Sequence, residues 1–138
     1  MTAPAEDFPS PCIWQSHRVY YGETDSMGVV YYANYLHWFE IGRNTYIRER
    51  GLTYREIEDR GIFLPVTRME CRYLAPATFD QEILIRAGIK KWGRASLVFA
   101  YEITDRAQEK VLTKGFTEHA CVNSSSRPTR TPEWLKEL

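Results

Sequence analysis

The sequence predicts an α+β fold in which one antiparallel sheet wraps a single long helix. A stripe of apolar residues at helical spacing runs from about Tyr32 to Arg50, long enough for a buried helix of several turns. Four later segments alternate in the manner of strands, and the breaks between them are too short for the helical crossovers of a parallel sheet. Size agrees: the chain has 138 residues, 43% of them hydrophobic, so it can bury roughly two-thirds of its unfolded surface without a metal or disulfide staple. It is too short for a TIM barrel, and an α/β-hydrolase with its dispersed triad would be cramped.

Residues 1–15 carry Pro4, Pro9 and Pro11 among small and acidic side chains, the composition of a flexible N-terminal arm, which leaves residues 16–138 as the single folded domain. Folded structure is expected from near Gln15, with His17 to Tyr21 as a short strand and Tyr21 to Gly28 as a loop of turn formers. In the long helix, Tyr35, Trp38, Phe39, Gly42, Thr45 and Tyr46 share one face. Mid-helix Gly42 permits a close backbone approach, so the helix is expected at the centre of the core, against the sheet. Gly51 is placed to end it. Thr53 and Glu56 fit a capping box that opens a second, shorter helix, and Gly61 stops that one. Strands follow over Ile62 to Tyr73, Glu82 to Lys91, Ala95 to Thr104 and Lys110 to Asn123, with Ile83, Ile85, Ala87 and Ile89 alternating along the second of them. Thr131, Pro132 and Glu133 then read as N-cap, first-turn proline and favourable acid of a short terminal helix.

The 18 basic and 18 acidic side chains cancel, which argues against a nucleic-acid partner, because phosphate neutralisation calls for a basic excess or a basic face. Cys12, Cys71 and Cys121 are odd in number and form no C-x-x-C pair, so free thiols are expected instead of a disulfide framework or a zinc site. No apolar run reaches the length of a membrane span and the N-terminus lacks an apolar core. The expected compartment is the cytoplasm, with no metal and no cofactor.

A serine-hydrolase reading finds no G-x-S-x-G, and a metal reading finds no H-E-x-x-H or paired cysteine ligands. His17, His37 and His119 are therefore expected to be structural or surface side chains. What remains is the loop around Asp25, which runs through Gly28-Val29-Val30 into the start of the long helix. A helix N-terminus presents unpaired amides that can polarise a carbonyl, and a nearby carboxylate can attack that carbonyl or activate water. Asp in a Thr-Asp-Ser-Met-Gly setting also caps turns. Both readings of Asp25 stand on the residues alone.

The run from Val19 to Leu36, with Tyr21-Gly22-Glu23-Thr24-Asp25-Ser26-Met27-Gly28-Val29-Val30-Tyr31-Tyr32 at its heart, resembles the signature of the hotdog-fold 4-hydroxybenzoyl-CoA thioesterase family, which includes the acyl-CoA thioesterases of the bacterial Tol-Pal group. The likeness continues through Trp38-Phe39-Glu40, Arg43, Pro65-Val66, Tyr73-Leu74-Ala75-Pro76-Ala77 and Gly93-Arg94-Ala95-Ser96, and so covers roughly residues 16 to 130. It implies a five-stranded antiparallel sheet wrapped around a long central helix.

By the same resemblance, Asp25 is the catalytic carboxylate, acting as nucleophile or general base on an acyl-CoA thioester, and the Tyr32 backbone amide polarises the carbonyl. Many members of the Tol-Pal group carry His where this chain has Tyr32, so no acid-base role falls to that side chain. Gly28 and Val29 are expected against the substrate. Coenzyme A is a polyanion, and Lys90, Lys91 and Arg94 around the Trp92-Gly93 turn, with Ser96, Arg127 and Arg130, form its candidate cradle. Glu40 lies eight residues after Tyr32, about 12 Å along a helix, too far to share one carbonyl, and is read as structural, paired with Arg43 or a strand residue. A homo-oligomer is expected, a dimer or a homotetramer, since a lone antiparallel sheet leaves an edge unpaired. The alternatives are a hotdog enoyl-thioester hydratase or dehydratase, which calls for a histidine beside the acid, and a non-catalytic acyl-thioester-binding protein.

Overall fold

A computed structural model describes residues 3–5 and 7–138. The elements are β1 (Cys12–Arg18), a 3-10 turn (Tyr21–Glu23), α1 (Asn34–Glu49), α2 (Tyr54–Asp59), β2 (Val66–Tyr73), β3 (Glu82–Trp92), β4 (Ser96–Asp105), β5 (Val111–Ala120) and α3 (Glu133–Lys136). The strands form one five-stranded sheet in the order β1-β3-β4-β5-β2, and every pairing is antiparallel. This is the expected architecture, a sheet folded around α1.

The helix is buried along the stripe read from the sequence: Tyr35, Trp38, Phe39, Gly42 and Tyr46 face inward. Ile47 joins them, and Thr45 is half-buried, its hydroxyl donating to Gln15 Oε1 at 3.2 Å. The Phe39 ring stacks on Tyr101 of β4 with centroids 4.3 Å apart, in a core of Ile83, Ile85, Leu97, Phe99 and Ile103 from the central strands.

Several boundaries differ from expectation: β2 starts at Val66 instead of Ile62, and β5 ends at Ala120 instead of Asn123. β1 runs over Cys12–Arg18, so it overlaps the expected strand but begins inside the stretch expected as an arm, with Cys12 to Gln15 drawn from residues 1–15, and Tyr21 turns into the 3-10 segment instead of extending a strand. The neighbouring prolines masked it: Ile13 is buried on the helix side, and Cys12 to Arg18 pair residue by residue with Gly88 to Glu82. Upstream, Ala5 N–H donates to Glu102 Oε2 at 3.1 Å, and Arg86 lies over the Phe8 ring at 4.2 Å on the sheet face turned away from α1. Residues 1, 2 and 6 of the expected arm lie outside the described residues. At α2 one half of the capping box forms, with Glu56 N–H donating to Thr53 Oγ1 at 3.1 Å. The Glu56 carboxylate accepts the Thr53 hydroxyl, so it does not reach back to the Thr53 amide. At α3, Pro132 takes the cap position expected of Thr131, and the Thr131 hydroxyl donates to Gly93 O at 3.3 Å instead.

Candidate active site

The loop between β1 and α1 leaves and returns to one point. Tyr31 N–H donates to Glu23 O at 2.9 Å, and Thr24 bridges to Val30. Within the loop Asp25 is tied down locally: its N–H donates to Val29 O (2.9 Å), its carbonyl accepts from Gly28 N–H (3.1 Å) and its Oδ1 accepts from Met27 N–H (2.8 Å). The turn-capping reading of Asp25 is therefore correct, yet it consumes one carboxylate oxygen only. Among the described residues Oδ2 has no partner, and the side chain is exposed. Gly28 sits at φ 78°, a left-handed conformation that a Cβ would strain.

The helix starts at Asn34, two residues later than the apolar stripe implies. Tyr32 lies in the turn just ahead, where Asn34 N–H closes onto Tyr31 O at 2.9 Å and Leu36 N–H onto Ala33 O at 3.2 Å. The Tyr32 N–H has no acceptor among the described residues. Its carbonyl accepts the Tyr73 hydroxyl at 3.0 Å, so the end of β2 holds this residue from the other side.

Asp25, Val29 and Tyr32 line one cavity of about 390 Å³, together with Tyr35, Tyr73 and Pro76. The walls are largely apolar and aromatic, with Tyr35 edge-on to Tyr73 at 5.2 Å. Two of the residues that line it each keep one polar group without a partner among the described residues, a carboxylate oxygen on Asp25 and an amide donor on Tyr32, and a carboxylate with an amide donor is a pair of groups suited to hydrolysing a carbonyl compound. Tyr35 and Tyr73 are site residues that sequence reasoning places only in a helix core and at a strand end; the Tyr73-Leu74-Ala75-Pro76 run is the one signal that marks the second of them.

The basic residues lie elsewhere. Lys90 and Lys91 occupy the far end of β3, Arg94 the β3–β4 hairpin and Ser96 the first position of β4. Arg127 belongs to the tail that docks on that hairpin, through Thr131 N–H to Arg94 O at 2.8 Å. Lys90 lines a separate cavity with Phe8 and Pro9. None of these residues lines the Asp25 cavity. That cavity sits at the opposite end of β3, and an 11-residue strand spans roughly 30 Å or more.

His17 is held by Glu23 at 2.9 Å, His37 is exposed on α1 and His119 is buried in the core. No histidine lines the cavity. Glu40 and Arg43 both border a different cavity of about 340 Å³, and no ion pair joins them among the described residues.

Residues 19–138 match the model of the thioesterase-like superfamily. The chain is 34% identical to the Bacillus subtilis protein YneP over 109 residues, 79% of this chain and 78% of that protein. It is 31% identical to the acyl-CoA thioester hydrolase YbgC of Escherichia coli over 106 residues, 77% of this chain and 78% of that protein. Among solved structures, the DHNA-CoA thioesterase of Staphylococcus aureus superposes with a TM-score of 0.84 at 30% identity, covering 91% of this chain and 87% of that one.

Proposed function

The chain belongs to the thioesterase-like superfamily of hotdog-fold thioester hydrolases, and we propose that it hydrolyses acyl-CoA with Asp25 as the acting carboxylate and the Tyr32 amide as donor to the carbonyl oxygen. The observation that carries this reading is that Asp25 and Tyr32 line one cavity, while Asp25 Oδ2 and the Tyr32 N–H have no partner among the described residues. The thioester carbonyl oxygen accepts from Tyr32 N–H, which stabilises the negative charge that develops when the carbon is attacked. Asp25 either bonds to that carbon, giving a mixed anhydride that water then opens, or takes a proton from the attacking water. Both routes consume one water, break the C–S bond and release the acid and the CoA thiol.

A second copy of the chain reconciles the two ends of the molecule. β2 is an edge strand exposed along nearly its whole length, with Val66, Met69 and Tyr73 open to solvent, the kind of edge that pairs with another strand. Two-fold antiparallel pairing of β2 with its twin sets the Val66 end of one chain beside the Tyr73 end of the other. Val66 pairs with His119, and Ala120 pairs with Ser96, so the partner's hairpin and tail are carried to the end of the sheet where the Asp25 cavity opens. Arg94, Arg127, Lys90 and Lys91 then serve the partner's CoA, with Ser96 beside them, while Gly28 and Val29 border the acyl group of their own chain.

The test is free-thiol release from a panel of aliphatic and aromatic acyl-CoAs by wild type and Asp25→Asn. Asn keeps the oxygen that caps Met27 and removes the base, so the loop stays folded while turnover falls by roughly 10²- to 10⁴-fold. Wild-type turnover in the variant overturns the reading. Hydration of an enoyl thioester, which a cavity without histidine does not support, would revive the hydratase alternative.

A further inference from the structure

We propose that Glu23 is a positioning residue for the reaction, its carboxylate setting the separation between Asp25 and the Tyr32 amide. The inference rests on the reading of those two groups just given, and Glu23 itself touches no part of the cavity.

Three donors converge on its two oxygens. Tyr20 N–H donates to Oε1 at 2.7 Å and Trp38 Nε1–H to Oε2 at 2.8 Å. His17 Nε2 lies 2.9 Å from Oε1 and 3.1 Å from Oε2. Both atoms facing that nitrogen are carboxylate oxygens, which only accept, so Nε2 carries the proton. Burial pushes the Glu23 pKa up, but the Tyr20 amide, His17 and Trp38 outweigh it and hold the group below its ordinary value. The carboxylate is thus a charged pin between β1, the 3-10 turn and a fully buried tryptophan of α1.

The backbone of the same residue is the root of the catalytic loop. Its carbonyl accepts Tyr31 N–H at 2.9 Å and the Asn34 side-chain amide at 2.8 Å. The chain leaves Glu23 toward Asp25, two residues on, and comes back to it one residue before Tyr32. Asp25 and Tyr32 therefore stand on the two arms of a stem whose base is Glu23. A change in how the carboxylate is held moves the stem against α1 and alters the distance between the arms. Misplacement of reacting groups by about 1 Å can cost on the order of 10²-fold in rate.

The chemistry calls for a carboxylate and not an amide. A glutamine here offers one acceptor oxygen and one NH₂, and in either orientation the NH₂ faces a donor, Tyr20 N–H or Trp38 Nε1–H. Glu23→Gln is therefore a perturbation with little change in volume.

The experiment measures kcat, KM and thermal melting for wild type, Asp25→Asn, Glu23→Gln, Trp38→Phe and the double variant Glu23→Gln/Trp38→Phe, on one acyl-CoA that the wild type hydrolyses. Glu23→Gln is expected to lower kcat by roughly 10- to 100-fold with KM within about twofold and a cooperative melt above the assay temperature. Deleting the tryptophan N–H gives the glutamine NH₂ a place to face, so the double variant recovers kcat relative to Glu23→Gln, which a general loss of stability would not do. Should Glu23→Gln not fold, Trp38→Phe decides: it removes one of the three donors and is expected to lower kcat several-fold at unchanged KM. Wild-type kcat in the deciding variant, with Asp25→Asn inactive, overturns the role of Glu23 alone. Wild-type turnover in Asp25→Asn overturns the reading of the site beneath it.

Discussion

Gly42 turns its bare Cα onto Ile85, so that a Cβ built there would lie 2.9 Å from Ile85 Cγ2 and 3.2 Å from the Ala87 Cβ. The helix can lie this close to β3 only because position 42 has no side chain. Propensity and packing disagree about what a substitution does. Leucine is the better helix former by about 0.8 kcal/mol, whereas forcing added methylenes into a packed core costs roughly 1–3 kcal/mol or more. Gly42→Leu is therefore expected to lower stability in a denaturant titration, and a stabilised variant would show that α1 rides further from the sheet.

The Tyr32 amide and the Tyr32 ring are separable. The side chain is 60% exposed, and the proposed role belongs to the N–H alone. Tyr32→Phe keeps the donor and is expected to hold kcat within a few-fold. Tyr32→Pro deletes it, and loss of one oxyanion donor costs about 10²- to 10³-fold in kcat. Circular dichroism checks that the proline variant still folds, and near-wild-type turnover by a folded Tyr32→Pro would remove the amide from the mechanism.

His119 makes the fold acid-sensitive. Burial holds its imidazole down at about 4, against a partial offset from the Leu64 carbonyl and a further push from the charge of Arg43. The ring is neutral near pH 7. Its Nδ1 faces Leu64 O at 2.9 Å and so carries the proton, which leaves Nε2 to accept the Thr117 hydroxyl at 2.7 Å. Thr117 in turn accepts from Tyr101 at 2.6 Å. Unfolded, the imidazole takes up a proton near pH 6.5. Between there and pH 4 the unfolded chain binds more protons than the folded one, so stability present above pH 6.5 is lost as the pH falls. The loss from this one group amounts to about 3 kcal/mol. Glu23, held below its ordinary 4.5, adds its own loss only at lower pH. In urea titrations from pH 7 to 4 the stability gap between wild type and His119→Gln should narrow, and parallel curves would place the acid loss in another group.

Periodicity makes the long helix and the four later strands legible, because one face of each is buried against the same core and burial writes itself into spacing. It fails at β1, where Ile13 is the only buried position and Pro9 and Pro11 sit just ahead of the first paired residue. Asp25 and Tyr32 are singled out by the run that surrounds them, although the residues alone do not separate capping from reactivity; Oδ1 caps Met27, and Oδ2 has no partner among the described residues. Glu23 and Tyr73 are illegible as supporting groups. Their partners are Trp38, fifteen residues on, and Tyr32, 41 residues back, and no local pattern encodes a hydrogen bond at that separation. The basic residues read correctly as charges, but their distance from the cavity follows from strand register, which composition does not contain.

That distance gives a test of whether two copies build one site. If Arg94 and Arg127 bind the CoA of the partner's cavity, Arg94→Ala/Arg127→Ala raises KM for an acyl-CoA while leaving KM for the corresponding acyl-pantetheine, which lacks the nucleotide phosphates, unchanged. The sharper measurement mixes two impaired proteins, one without the carboxylate and one that binds CoA weakly. Asp25→Asn supplies good basic residues and a dead carboxylate; Arg94→Ala/Arg127→Ala supplies the reverse. When equal amounts are unfolded together and refolded, half of the dimers are mixed, and in a shared site each mixed dimer has one position where a native Asp25 faces native arginines. Assayed well below KM, the mixture should then recover about a quarter of wild-type activity. Sites contained within one chain recover nothing beyond the average of the two variants assayed separately, because neither chain carries both parts, and that result would return the basic end of the sheet to the role of a solvated hairpin and tail.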